Sequence, residues 1–416
     1  IAIQGGRLTL KIAALVFLLL AGMTLEAAGA DGSSGVPMRE INAGEILAKI
    51  QQGQPVEYDH VIVRGDLDLS RERLLRNITT PIRINDSRFD GLVRFNGITF
   101  ENAVDMSGSN FTRDVYFIGA TFGDYVYFEG ATFGGDAHFG GAVFSDYATF
   151  LEAEFIGDAY FGFEELFEDG PFIGGATFNG EAYFREVEFS GDAYFGRGEF
   201  SDDANFWGAK FRDDADFGEA KFSGDADFVE AEFSGDAYFW RAAFTKNSSF
   251  EEAEFNGNIE FGNARFENET SFYRILFKRP AYFENCFIKS LNLTKAEYSR
   301  LHLRWDDIKR KSLHFDEAAY LALIKNYNTL GWYGDANDCY YDYRNAVRRD
   351  TQAASSPGFA ARLSSLLDRL IDFGEWILYG YGVRPSFPLA WSAAIILAFG
   401  LFFRQKRCLR KIITEE

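Results

Sequence analysis

The chain has 416 residues, enough for two or three ordinary domains, yet 45 Phe and 41 Gly stand against 8 Pro and 3 Met. So much Phe implies one side chain reused at a structurally repeated position. The net charge of −20 is uneven: residues 95–287 carry 37 acidic and 12 basic side chains, a net of −25, while residues 288–416 carry 14 and 19, a net of +5. A polyanionic middle repels nucleic acid and anionic lipid, which argues against direct nucleic-acid binding. Three cysteines (Cys286, Cys339, Cys408) exclude both a disulfide framework and a structural zinc cluster.

Residues 1–30 open the chain. Arg7 and Lys11 precede an apolar run at 12–21, and Ala28-Gly29-Ala30 stands before Asp31. This order resembles a secretory signal peptide or, uncleaved, a membrane anchor. The first residue is Ile1, so a natural start that is missing or non-standard is expected. Residues 31–94 read as an N-terminal cap. Within them 42–52 predicts a short amphipathic helix, and VEYDHVIVRGDLDLS predicts strands and a first, atypical coil.

The repeat follows, over 95–287. Phe recurs at 111, 117, 122, 128, 133, 139, 144, 150, 155 and 161, and again from 184 through 283. Steps of five and six alternate, giving an 11-residue period. Ala stands two residues before many of these Phe, as in Ala204-Asn205-Phe206, Ala215-Asp216-Phe217 and Ala226-Asp227-Phe228. A helical period cannot hold Phe on one face at such steps. In a short extended piece, residues two apart share a side, so each A-x-F unit points Ala and Phe inward. Phe206, Phe211, Phe217, Phe222, Phe228 and Phe233, with Ala204, Ala215 and Ala226, are the expected core. Gly-Asp or Asp-Asp before the Ala suits a tight turn, and such small units can bury Phe only by stacking.

These A-[DN]-F units resemble the pentapeptide-repeat family. The resemblance implies a right-handed quadrilateral β-helix, an all-β solenoid with four units per coil. The extra residue in every second unit makes a 22-residue coil, and a flattened two-sided 11-residue coil is the alternative. Over 95–287 about nine coils and a rod of roughly 40 Å are expected. One interruption is apparent. Phe184 falls one position later than two full periods after Phe161, and Pro171 lies between them. A bulge or protruding corner is expected there.

Residues 288–314 substitute Leu and Trp305 for Phe, as a closing coil would. Residues 315–379 predict helices at 315–330, 333–349 and 359–379, with Tyr320, Tyr327, Tyr340 and Tyr343 as helix-pair core. Residues 387–403 are apolar except for Ser392 and predict a transmembrane helix. Arg404, Lys406, Arg407, Arg410 and Lys411 follow it in a basic tail, 404–416, against Arg384 upstream. That asymmetry places the C-terminus in the cytoplasm and the solenoid outside it, in the cell membrane. The order of solenoid, helices, YGVRP and membrane helix is similar to pentapeptide proteins that carry an ion-channel module. However, residues 1–416 contain no T-V-G-Y-G filter and no second pore helix.

Catalytic signatures are missing. His60, His138, His302 and His314 lie far apart, and no H-E-x-x-H, G-x-S-x-G, P-loop or C-x-x-C occurs. No enzyme activity and no cofactor are expected. His138 takes the place of Tyr160, Tyr194 and Tyr238 and is read as one member of an outward ladder. Asp192, Asp203, Asp214, Asp225 and Asp236 recur at the same 11-residue period, forming two acidic ladders on opposite corners of a 22-residue coil. Stacked carboxylates can hold divalent cations, or each can accept a nearby backbone N–H as turn chemistry. Six N-x-[ST] sequons, at Asn77, Asn85, Asn110, Asn247, Asn268 and Asn292, suit an exported surface. Cys286 and Cys339 are available to pair if exported. The function expected is a membrane-tethered structural or interaction module, with an unidentified protein or a cation as partner. The alternatives are a regulatory part of a channel-like protein, or a mimic of DNA like the pentapeptide proteins that protect gyrase.

Overall fold

The computed structural model describes residues 37–69, 76–162, 174–308, 313–353 and 370–406. The signal or anchor segment 1–30, Pro171 and the tail beyond 406 lie outside the described residues. The chain divides into two units, Ile1–Met38 and Arg39–Glu416, and the architecture below is that of the second.

The second unit winds into a β-solenoid of about 11 turns. Each regular turn has four two-residue strands, for example Ala204–Asn205, Lys210–Phe211, Ala215–Asp216 and Lys221–Phe222. They define faces one to four. Each strand pairs in parallel with its counterpart one coil later: Ala204 with Ala226, Lys210 with Glu232, Ala215 with Ala237, Lys221 with Ala243. This register makes the coil four-sided and spans two full periods of the sequence, so the flattened single-period coil is excluded. Face two is a 12-stranded sheet and face three an 11-stranded one. Faces one and four merge into 19 strands, because Arg265–Ser271 and Phe287–Asn292 run continuously around the corner between them. The rod is longer than the repeat alone implies, since the irregular flanks Val61–Arg64, Leu67–Asp68 and Leu301–His302 join the same ladders.

Phe206, Phe211, Phe217, Phe222, Phe228 and Phe233 are buried, with Ala204, Ala215 and Ala226 beside them. The rings stack in four columns. Phe206 lies 4.8 Å from Phe228, Phe211 4.6 Å from Phe233, Phe217 4.9 Å from Phe239 and Phe222 4.9 Å from Phe244. Columns from faces one and three interlock edge to face, as Phe206 and Phe217 do at 5.4 Å and 89°. Burial contributes about 1.5–3 kcal/mol per ring, and such ring pairs about 0.5–1.5 kcal/mol more.

The alternation of five and six has a backbone cause. The five-residue step is a four-residue turn: Ala231 N–H donates to the Phe228 carbonyl at 3.2 Å, with Glu230 left-handed at φ 57. The same left-handed position is held by Gly119, Gly130 and Gly141 early in the rod, and by Glu219, Glu230, Arg241 and Glu252 later. The six-residue step holds its extra residue at an aspartate corner. Its Gly224 lies so close to the coil below that an added Cβ would meet the Asp202 carbonyl carbon at 2.3 Å.

The interruption differs from its expectation. Across it Val143 pairs with Thr177, Ala148 with Ala182, Glu154 with Glu188 and Ala159 with Ala193, each a longer step than in the regular coil. Ala137 pairs with Ala159 just before, so the step from Ala159 to Ala193 carries an excess of twelve positions rather than one. The spacing from Phe161 to Phe184 misleads because the two belong to different columns. Phe161 stacks on Phe195 and Phe184 on Phe150, both at 5.0 Å.

Both ends of the stack are covered. Helix α1 (Ala43–Gln51) buries Ile46 and Ile50, and Asn42 with Glu45 closes its N-terminus as a capping box. At the far end helix α2 (Glu317–Thr329) buries Leu323 and Tyr327. Its Asn326 donates to the Leu301 carbonyl at 2.8 Å and accepts the Leu301 N–H at 3.1 Å, standing in for the strand that a further coil would supply. Helix α3 (Tyr333–Ala353) fixes Trp305, whose backbone N–H meets Asp335 at 2.9 Å and whose indole N–H meets Asp342 at 3.1 Å. Tyr320 and Tyr327 are buried, and Tyr340 and Tyr343 half-buried. Cys286 and Cys339 are not paired. Both are free and buried, Cys286 donating to the Phe261 carbonyl at 2.9 Å, and burial pushes its thiol up to about 12.

Beyond α3, a helical stretch at 370–379 leads through Gly380–Gly382 into helix α4 (Ser386–Lys406). Arg344 on α3 reaches Asp372 at 3.0 Å and Glu375 at 3.2 Å, and Arg384 reaches Asp338 at 2.8 Å. The stretch Ser386–Phe403 is long and apolar enough to cross a membrane, and none of it is buried.

Candidate functional site

The predicted aspartate ladders are real columns, and their chemistry is that of the corner. Asp192, Asp214 and Asp236 stack between faces two and three; Asp203 and Asp225 stack between faces four and one. Asp214 N–H donates to Asp192 Oδ1 at 3.1 Å, Asp236 N–H to Asp214 Oδ1 at 2.8 Å, and Asn258 N–H to Asp236 Oδ1 at 2.7 Å. In the second column Asp225 N–H donates to Asp203 Oδ1 at 2.9 Å, and Asn247 N–H to Asp225 Oδ1 at 3.0 Å. Each carboxylate thus closes the N–H left over by the six-residue step. Among the described residues no cluster of three or more His, Cys, Asp or Glu has the geometry of a metal site.

A second ladder stands on face three, built from the residue between the inward Ala and Phe. Side chains alternate along a strand, so this residue must face outward. Tyr116 and His138 stack at 4.6 Å and 2°, His138 and Tyr160 at 4.7 Å, and Tyr160 and Tyr194 at 4.9 Å. His138 is thus an outward ladder member, as the sequence suggested. At the N-terminal end Arg94 takes the same position. Its guanidinium lies 4.6 Å from the Tyr116 ring and 3.9 Å from Asp68. Each tyrosine also donates to the second oxygen of the corner aspartate two residues before it: Tyr116 to Asp114 at 3.0 Å, Tyr160 to Asp158 at 3.1 Å, and Tyr194 to Asp192 at 2.8 Å.

The ladder breaks at Asp216, which occupies the position between Tyr194 and Tyr238. A groove of about 450 Å³ opens there, lined by Tyr194, Tyr238, Asp214, Asp216, Arg197 and Trp240, among others. Its floor is Gly196 and Gly218. Asp216 Oδ1 accepts the Gly218 N–H at 2.7 Å, and burial raises the carboxyl above its ordinary range. Burial first, then the bond to Asp192, raises the Tyr194 phenol. Trp240 is exposed and covered on one side by Arg241 at 4.1 Å. Sequence reasoning singled out Asp214 and Tyr238 but missed Asp216, Trp240 and the glycine floor as a site. The signal that finds them is the column at 22-residue spacing, where Asp216 alone replaces a ring between Tyr194 and Tyr238.

A stack of short four-sided coils that repeat one pattern of inward Ala and Phe defines a β-solenoid repeat protein. The family model for pentapeptide repeats (9 copies) matches residues 84–132, 95–143, 117–163, 173–220, 206–254 and 239–287, and the solenoid over 84–287 is a pentapeptide-repeat domain. That family is generally a non-catalytic structural fold. No curated protein and no solved structure matches the chain.

Proposed function

We propose that the protein is a non-catalytic interaction module tethered to a membrane by α4, presenting face three of an acidic rod to a protein partner. The observation that carries this reading is the groove between Tyr194 and Tyr238. There aromatic faces and carboxylates are exposed together on a scaffold that is otherwise repetitive. Partner binding by protein is favoured over cation binding because the stacked carboxylates already accept backbone N–H groups, and several also accept tyrosine hydroxyls. Tethering is supported by the fully exposed apolar surface of Ser386–Phe403. A cytoplasmic C-terminus is supported by the basic tail. The one upstream cation, Arg384, is already compensated by Asp338 at 2.8 Å.

Two measurements on the full chain test the proposal. Alkaline carbonate should leave the protein in the membrane pellet, and the double substitution Ile396→Arg, Phe399→Arg should move it to the supernatant. A photo-reactive phenylalanine at Trp240 should give a discrete protein adduct in cells, whereas the same group at Glu232, on face two, should not. Carbonate release of the unmodified chain, or equal labelling from both positions, would count against the proposal.

A further inference from the structure

On face three Tyr116, Tyr160, Tyr194 and Tyr238 each do two things: the ring fills one level of the stack, and the hydroxyl donates to the corner aspartate. At Asp216 both are lost together. Tyr194 and Tyr238 are two coils apart, so their rings stand about 9.6 Å from each other, room for one planar group at the native ladder spacing. Asp214 lies two residues before the missing ring. Its Oδ1 accepts the Asp236 N–H, and its Oδ2 lacks the hydroxyl donor that Asp192 receives from Tyr194. Asp216 Oδ2 likewise has no donor among the described residues, while its Oδ1 is held by Gly218. The gap therefore offers two flat aromatic faces and two carboxylate oxygens without donors. A side chain that suits it is planar, positively charged and rich in N–H groups.

The same ladder already holds such a group. Arg94 occupies the ladder position of another coil, with its guanidinium 4.6 Å from the Tyr116 ring and 3.9 Å from the carboxylate of Asp68. A guanidinium in the gap would stack on Tyr194 and Tyr238 and reach Asp214 and Asp216, repeating that arrangement. Lysine lacks the flat surface and the forked donors. We propose that the gap at Asp216 is a receptor for one arginine side chain of a basic polypeptide segment. This rests on the interaction-module reading above and deepens it. A polypeptide is favoured over a free guanidino compound by charge. Glu219 at the groove is already paired with Arg197 at 3.0 Å and Arg241 at 3.6 Å, but the groove lies within a region of net charge −25, so basic residues flanking the arginine gain further attraction. Trp240 closes one end, its indole available to pack against the aliphatic stem of the guest.

Titration of the full-length protein in detergent tests this, with acetyl-Lys-Gly-Arg-Gly-Lys-amide as the probe. Saturable binding is expected, with the all-lysine counterpart and arginine amide each weaker by at least about tenfold. Asp216→Tyr restores the residue used in neighbouring coils and should raise Tm while weakening the peptide by at least about tenfold. Asp216→Asn is the second variant, because it keeps the contact with Gly218, and it should weaken the peptide likewise. Equal affinity for the arginine and lysine peptides, wild-type affinity in both variants, or no saturable binding would overturn the receptor. Arginine amide binding as tightly as the peptide would overturn the polypeptide as its occupant. Membrane retention and crosslinking at Trp240 are read independently, so failure of these titrations is distinguishable from failure of the tethered-module reading.

Discussion

Asp216 is a half-buried carboxylate at a ladder level that Tyr194 and Tyr238 fill with rings in the neighbouring coils. Its pKa is raised by burial, so the charged form is penalised in the folded state relative to the unfolded one. The penalty is in force above the folded pKa and fades as pH falls through it, because the folded protein then binds a proton more readily than the unfolded chain. Asn205, at the matching place on face one, accepts the Trp207 N–H at 2.9 Å just as Asp216 accepts Gly218. Asp216→Asn should therefore melt higher than the parent at neutral pH, and the gap should close as pH falls below the ordinary carboxylate range. Melting curves that stay parallel across pH would contradict this. A second residue-scale cost lies at the left-handed corners. Glu230 sits at φ 57 where Gly119 and Gly130 serve earlier in the rod, and a side chain there costs about 1–2 kcal/mol, partly offset by the entropy that glycine loses. Glu230→Gly should stabilise by about 0.5–1 kcal/mol in denaturant titration, and Gly119→Ala should destabilise by a similar amount.

Strands of two residues have no stability of their own, so the elements that matter are the corners and the end caps. Asn326 satisfies both backbone groups of Leu301 at the last open edge. Asn326→Ala strands a buried donor and acceptor and should cost about 2–4 kcal/mol, measured as a lower denaturant midpoint with an unchanged slope. Elements differ in how far the sequence reveals them. The inward Ala and Phe were legible because one pattern recurs across the whole repeat. The left-handed corners were not, because Glu, Arg and Asn at that position leave no turn signature; Gly119, Gly130 and Gly141 are where it could have been seen. The twelve-residue excess was hidden by Phe and Gly within the interruption that imitate the repeat. The face-three ladder was only partly legible. At an 11-residue period the outward residues of faces one and three interleave, as Tyr183, Tyr194, Asn205, Asp216, Asp227 and Tyr238. Separating them needs the 22-residue register that strand pairing fixes.

On the scale of the molecule the design is an acidic rod with covered ends and a helical joint leading to an apolar helix. Arg344, held by Asp372 and Glu375, and Arg384, held by Asp338, tie that joint to α3. The rod's charge favours solubility and attracts basic partners, an attraction that weakens as salt rises. Presentation of the groove outside the cytoplasm is read directly from Lys210 and Lys221, which lie on two faces of the rod. Intact cells would be treated with a membrane-impermeant amine reagent and labelled peptides mapped, beside a lysed control. Lys210 and Lys221 should be labelled in intact cells, and Lys406 and Lys411 only after lysis. Protection of Lys210 and Lys221 until lysis would contradict it.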